Sequence, residues 1–242
     1  MAEEIKQEIA TERPEWKRKS REEMAEEAAQ RALDSWVPKT ALGKKVREGK
    51  ITNIDEVLSQ IFLEDQIVDL LLPTEMDLLL IGQSKGKFGG GKRRAWKQTQ
   101  KKTIDGNVGS FTCGVIVGDK DGHVGVGFGK AKETLPAREK AIRMAKLNVI
   151  KITRGCASFD CLCSESHTVP FIVEGKCGSA IVRLIPAPQG TGLVIGDECK
   201  KILKLAGVRD VYSKTFGQTR STINLAKACI EALKKTNKGG KK

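Results

Sequence analysis

Aromatic side chains make up only 5% of this 242-residue chain: three Trp, seven Phe and a single Tyr. Such scarcity argues against a stacking platform for single-stranded RNA, in which successive rings take successive bases. Histidine is rarer still, with two residues. There is no H-E-x-x-H pair, no H-x-E with C-x-x-C of the zinc deaminases, and no convincing base beside a nucleophile, which makes catalysis the weakest reading. No apolar run is long enough to span a bilayer, and Met1–Ala10 carries acids rather than a signal-peptide pattern. The expectation is therefore a soluble, intracellular chain with no membrane partner. Seven cysteines, an odd number, exclude a complete disulfide framework. In an intracellular chain, clustered cysteines more often mean metal.

What is abundant is positive charge: 43 Lys and Arg against 30 Asp and Glu, a net +13. That balance attracts nucleic acid or an anionic surface, and with few aromatics it favours phosphate and shape contacts. The charge is unevenly spread. Residues 1–35 hold ten acids and seven bases and read as an exposed extension, helical or disordered, outside the RNA-binding part. Trp36–Gly49 is basic, and Asp55–Leu72 reads as one or two amphipathic helices, with Asn53 as a cap and Pro73 ending the run. From Gly82 to Lys102 there are eight Lys or Arg and no acid, among glycines. A flexible cationic loop of this kind moulds to phosphates and is ordered on binding.

The organising stretch runs from Phe111 to Ile150. An apolar run, the turn Asp119–Gly122 and the strand His123–Lys130 predict a hairpin. Pro136 suits a first helical turn, and Ile142, Ala145 and Val149 recur at helical spacing. Glycine alternates along the return strand, leaving one face nearly bare; close approach of an RNA backbone or a neighbouring strand explains it best. A nucleotide-binding turn is a poor rival, because Gly125, Gly127 and Gly129 fit neither G-x-G-x-x-G nor the P-loop and lie inside a strand. Further on, Cys156, Cys161, Cys163 and His167 follow C-x4-C-x-C-x3-H, a full set for structural tetrahedral zinc with no position left open for catalysis; Cys177 is an alternative ligand. Beyond Val169, Ala180–Ile185 alternates as a strand, Gly196–Leu205 is helical and stops at Gly207, and Val208–Ser213 is a strand. A helix carrying Ile223, Leu225, Ala226, Cys229, Ile230 and Leu233 follows, capped by Thr219 or Ser221. Its N-terminus, with Arg220 beside it, is a ready anion site.

The run Val117-Gly118-Asp119-x-x-Gly122-x-Val124-Gly125-x-Gly127-x-Gly129-Lys130-Ala131-Lys132-Glu133 resembles the signature of the small-subunit ribosomal protein five family. Trp36–Thr40 and Ile185–Gly192 resemble its archaeal and eukaryotic branch, and the Cys-rich run its archaeal members. The resemblance covers roughly Trp36 to Lys235. It implies an α+β chain: a helical segment over 36–81, a β-β-β-α double-stranded-RNA-binding-like domain over 82–153 with its basic loop at 82–102, a Cys-rich linker over 154–168, a β-α-β-α domain over 169–235, and a basic tail over 236–242. In this family a Gly-Arg-Arg-like element sits just before the Phe of the second strand, whereas here Arg93 and Arg94 lie well upstream of Phe111.

The resemblance further implies a structural constituent of the small ribosomal subunit, cytoplasmic and ribosome-bound. It would contact rRNA near the mouth of the mRNA channel, support assembly and decoding accuracy, and neighbour small-subunit proteins three, four and eight. It would not be a homo-oligomer. The alternative reading is a free-standing regulator that binds structured RNA. The RNA-contact candidates are Lys85, Lys87, Lys92, Arg93, Arg94, Lys97, Lys101, Lys102, His123, Lys130, Lys132, Arg138, Arg154, Gln218, Thr219, Arg220 and Thr222. The metal-ligand candidates are Cys156, Cys161, Cys163 and His167.

Overall fold

A computed structural model describes residues 30, 33, 35–83, 93–157, 161, 163 and 165–238. Apart from Gln30, the helix expected between Glu22 and Ala32 lies outside the described residues, as do the loop lysines Lys85, Lys87 and Lys92 and the end of the basic tail. Pro38–Lys242 forms one compact unit, separate from Met1–Val37.

Three short helices open this unit: α1 (Ala41–Arg47), α2 (Ile54–Leu58) and α3 (Gln66–Leu71). Thr40 caps α1 by accepting from the Gly43 N–H. Asn53 stands at the start of α2 as expected, but its side chain makes no capping bond there. A five-stranded antiparallel sheet follows, with β1 (Glu75–Leu79), β2 (Lys97–Thr103), β3 (Gly106–Gly118), β4 (His123–Ala131) and β5 (Val149–Lys151). The long strand β3 pairs with β4 on one side. On its other side β1 takes the Gly114–Gly118 half and β2 the Gly106–Thr112 half. Two of these strands lie where other structure was expected. β1 falls within the segment read as helical, and β2 takes up the last part of the basic loop. The loop's described ends are tied where the Gly82 N–H donates to the Arg94 carbonyl at 2.7 Å.

Helix α4 (Thr134–Leu147) packs across this sheet. It ends two residues before Val149, which sequence periodicity placed on the helix and which instead begins β5. The glycine alternation of β4 is explained by this helix, not by RNA. A Cβ on Gly125 or Gly129 would stand 2.2 Å from the carbonyl of Ala145 or Ala137, and one on Gly127 would stand 2.2 Å from the Ala145 nitrogen. Ala137, Ala141 and Ala145 face these glycines and are fully buried. Backbone meets backbone with no side chain between.

The second domain holds β6 (Val173–Cys177), β7 (Ala180–Pro186), the short β8 (Leu193–Val194), α5 (Asp197–Leu205), β9 (Val211–Phe216) and α6 (Thr222–Lys238). The expected β-α-β-α order is present, with β6 and β8 added to it. Its sheet runs β6-β7-β9-β8, with β8 parallel to β9. Gly175 repeats the device of β4, since a Cβ there would meet the Ala228 carbonyl of α6 at 2.1 Å.

The two domains share one core. Leu79, Ile116, Val124 and Val126 of the first sheet belong to the same buried cluster as Val182, Leu184, Ile202, Leu203 and Leu233 of the second domain. Polar links reinforce it. Glu198, buried in α5, accepts from the Leu80 N–H at 2.8 Å, and Lys201 donates to the Leu78 carbonyl at 2.7 Å. The β3–β4 turn is docked too: its Lys120 N–H donates to the Leu205 carbonyl at 2.9 Å.

Gly127→Ala therefore forces helix and sheet apart and should lower stability by about 1–3 kcal/mol or more, as overpacked cores do. Gly109→Ala, in open space, is the matched control. Chemical denaturation of the purified chain measures both; equal midpoints would contradict this packing.

Candidate functional site

The cysteine-rich segment is closed at its base by a bridge between Gly155 and Thr168, whose N–H and carbonyl groups exchange bonds of 2.9 and 3.0 Å. This brings the four predicted donors together: the sulfurs of Cys156, Cys161 and Cys163 and one ring nitrogen of His167 all lie within 4.8 Å of one another. The Cys161–Cys163 sulfurs are 2.9 Å apart and Cys163–Cys156 3.3 Å, and His167 Nε2 is 3.6 Å from the Cys161 sulfur. Around one tetrahedral zinc, with its usual bond lengths, such donors stand about 3.5–3.8 Å apart. Only small shifts of Cys161 and Cys163 separate the two arrangements, so the residues fit the ion.

The charge state fits as well. The hydrogen bond from Cys163 brings the Cys161 thiol down to about 6. The same bond to the Cys161 sulfur, with burial behind it, pushes Cys163 up to about 12, so the proton that remains sits on Cys163. One proton is thus shared between the two sulfurs, and a cation in its place would satisfy both. His167 is almost fully buried, with Nδ1 2.8 Å from an Asp210 carboxylate oxygen. That contact is close in distance but lacks hydrogen-bond geometry. It leaves Nε2 facing the sulfurs, the orientation that a carboxylate behind a metal-bound histidine secures. The His167 carbonyl also accepts from the Arg209 and Asp210 N–H groups. Asp210 was not a sequence candidate: it lies far along the chain from His167, and no local pattern marks it. Cys177 is not in the cluster; it lies in β6, beside a cleft with Lys227 and Phe128.

The basic candidates divide. Lys97, Lys101, Lys102, Lys130, Lys132 and Arg138 are exposed and make no ion pair among the described residues, and the same holds for Arg93 and Arg94. They gather at one end of the first domain. Lys97 and Lys130 both pair with Thr112, so they stand in one row across β2, β3 and β4 on the same face. Lys132 leads into α4, and Arg138 lies in its second turn. Gln218 and Arg220 are exposed ahead of α6, Thr219 is half-buried, and Thr222 is buried.

Two other candidates are committed within the protein. Arg154 donates to the carbonyls of Lys120 and Gly207 and to the Asp121 carboxylate, which makes it a stitch between the domains. His123 has Nδ1 2.6 Å from Asp119 and Nε2 3.3 Å from Asp55. Neither ring nitrogen is open to a phosphate, so its role is to hold α2 against the hairpin.

Sequence comparison bears on both domains. The profile described as ribosomal protein S5, N-terminal domain, matches residues 95–153, and that of its C-terminal domain matches 175–239. Small ribosomal subunit protein uS5 of Nanoarchaeum equitans is 50% identical over 206 residues, covering 84% of this chain and 88% of that protein. The chain belongs to the uS5 family. The same protein of Staphylothermus marinus is 46% identical over 210 residues, covering 86% of this chain and 91% of that protein. That of Methanocaldococcus jannaschii is 45% identical over 207 residues, covering 85% and 89%. The uS5 domain profiles leave residues 154–174 unmatched between them, and all four metal-ligand candidates fall in that gap. Among the described residues, no helix of this uS5 chain is long and apolar enough to cross a membrane.

The His123 cluster gives a pH signature. Asp119 holds the imidazolium above its ordinary value; burial opposes this and Asp55 adds to it. For Asp119, burial raises the carboxyl but is outweighed by the bonds from His123 and Asp121, and Asp55 is lowered chiefly by Lys151. A raised histidine contributes stability that is full below about pH 6.5, its unfolded value, and is lost as pH rises through the folded one. The lowered carboxylates contribute above about pH 4 and lose that as pH falls. His123→Gln should therefore destabilise the chain most between about pH 5 and 6.5, with the deficit shrinking towards pH 8. Denaturation midpoints across that range check it; a deficit that grew with pH would contradict the charged pairing.

Proposed function

We propose that the chain is a structural, RNA-binding constituent of the small ribosomal subunit. It would hold rRNA near the mouth of the mRNA channel, beside small-subunit proteins three, four and eight, and support subunit assembly and decoding accuracy. Membership of the uS5 family supports the subunit itself and sets the chain among ribosomal proteins rather than enzymes. The observation that carries RNA contact is the end of the first domain formed by β2, β4 and the start of α4. There Lys97, Lys101, Lys102, Lys130, Lys132 and Arg138 are exposed, with no acid paired to them among the described residues. Cations left unpaired in this way release counterions when they meet phosphate, which drives association. The wide minor groove and regular phosphates of an RNA helix suit such a surface, because its shape is read without base edges.

The Cys156–Cys161–Cys163–His167 cluster would hold zinc in this protein. The ion would supply a cross-link without chemistry, fixing a segment that has little core of its own. Glycine-bridged at its base and tied through His167 to Arg209 and Asp210, that segment is the only covalent path between the two RNA-facing domains.

Replacing Lys97, Lys101 and Lys130 by Ala should weaken binding to a small-subunit rRNA fragment. It should also flatten the plot of log affinity against log salt by about 2–3 units, since each lost phosphate contact removes about 0.7–0.9. An unchanged slope would remove these lysines from the interface. Subunits carrying the chain should hold it through sedimentation at moderate salt, whereas a free-standing regulator would separate from them. For the metal, the purified chain should contain about one zinc, and the Cys161→Ser/Cys163→Ser variant none; absence of zinc from both would leave the segment a plain linker.

A further inference from the structure

We propose that the open face of the second sheet is a separate site for single-stranded RNA, with bases stacked on Tyr212 and Phe216. The inference rests on the RNA-binding reading above and adds to it a surface and a substrate class. The face is defined by strand parity. Val173, Val182, Leu184 and Val211 point inward and are buried, so their neighbours point away from α6. Ile185 pairs with Tyr212, Arg183 with Lys214, and Ile181 with Phe216, giving three parallel rows on the outer face. Among the described residues of Pro38–Lys242 nothing covers it: Tyr212 is 41% and Phe216 44% exposed.

The two rings are four residues apart on one strand, a span of about 13 Å. Between them lie Lys214 and Arg183, and the Arg183 guanidinium stands 5.7 Å from the Phe216 ring centroid. Lys176 flanks the Phe216 row through its pairing with Ile181. The only acid on these strands' outer face, Glu174, is taken up by Arg183 at 2.8 Å. The result is two rings with Lys214 between them and Lys176 on the flank, both without an ion pair among the described residues, and with Arg183, paired to Glu174, lying against Phe216; sheet surfaces hold an unpaired strand by this combination of bases on rings and phosphates on cations. Ile181 and Ile185 give the rows an apolar floor, which a protein partner would also accept. An exposed lysine in the middle of the patch, Lys214, with Lys176 on its flank, argues against one, because the cores of protein interfaces are depleted in lysine. The chain's one tyrosine thus stands where no packing requires it. Beyond β9 the surface continues into exposed Gln218 and Arg220.

The test uses the full chain with two probes, an unstructured oligouridine and an RNA duplex. Tyr212→Ala/Phe216→Ala should weaken oligouridine binding by about tenfold or more, since stacking is lost from two bases, and leave duplex binding unchanged. Tyr212→Phe should restore most of the single-strand affinity. Both side chains are exposed, so the denaturation midpoint should not move. In assembled subunits, a photoreactive p-benzoylphenylalanine at position 212 should form RNA adducts. Unaltered oligouridine binding by the double variant, with duplex binding intact, overturns this site alone. Failure of the parent chain to bind either probe overturns the RNA-binding reading beneath it. Equal losses on both probes also overturn the single-strand site, and protein adducts alone from position 212 overturn it and make the face a protein contact.

Discussion

Direct contact between helix backbone and strand backbone is the constraint on which the rest of the structure depends. On β4, glycine at positions 125, 127 and 129 removes every side chain beneath α4, and alanine at 137, 141 and 145 does the same from above. Beneath α4 the core is limited to a small cluster around Cys113, Val115 and Val117 of β3, so the opposite face of the sheet must supply most of the volume. Ile116, Val124 and Val126 do so, and they pack on the second domain rather than on solvent. The same device at Gly175 draws α6 onto the second sheet. Helix α6 and its neighbour α5 are thereby caught between two sheets, and two domains that each match a separate profile share one interior.

Charge follows the same division of labour. From Ile51 to Leu80 there are seven acids and no Lys or Arg, an inversion of the chain's overall balance. Most of these acids are turned inward on the basic scaffold. Asp55 meets Lys151 and His123, Asp65 faces Arg143, Asp69 binds Lys146, Glu75 meets Lys120, and Asp77 lies near Lys201. Glu64 accepts from the Lys39 and Thr40 N–H groups. The opening helical segment and β1 therefore act as a built-in counter-charge for one side of the protein. Cations at the other end of the first domain, on β2 and the start of α4, have no such partner among the described residues. Exposed pairs of this kind contribute little to stability individually; their effect lies in deciding which bases stay free.

The legible parts of this fold were those with local causes. Asp119–Gly122 marked its turn because Asp-Gly after an apolar run has few other uses, and the Cys3His spacing marked its cluster because thiolates at such density have few structural alternatives. The β2 strand KQTQKKT was not legible: exposed on most of its length, it has no apolar alternation to reveal a strand. The end of α4 was misplaced because Val149 fits a helical stripe and a buried strand equally well. The meaning of the β4 glycines, the pairing of His123 with Asp55 and the support of His167 by Asp210 depend on residues distant in sequence, which no window of local pattern can join. A low aromatic fraction is an average over the chain, and it conceals that Tyr212 and Phe216 stand on the same face of one strand.

The shared interior has a mechanical consequence for RNA. Domains joined only by a flexible linker would bind two RNA elements over a range of separations, the second contact gaining from whatever local concentration the tether provides. Here Glu198 on the Leu80 N–H, Arg154 across to Gly207 and the buried apolar cluster permit no such range. With RNA on both domains, as proposed, the protein would behave as a fixed-jaw gauge. Two RNA elements held at the matching distance gain the full benefit of simultaneous contact, and a pair set too near or too far gains only one grip. A misfolded assembly intermediate would thus be distinguished from a correct one by length, with no base in either element having to be read.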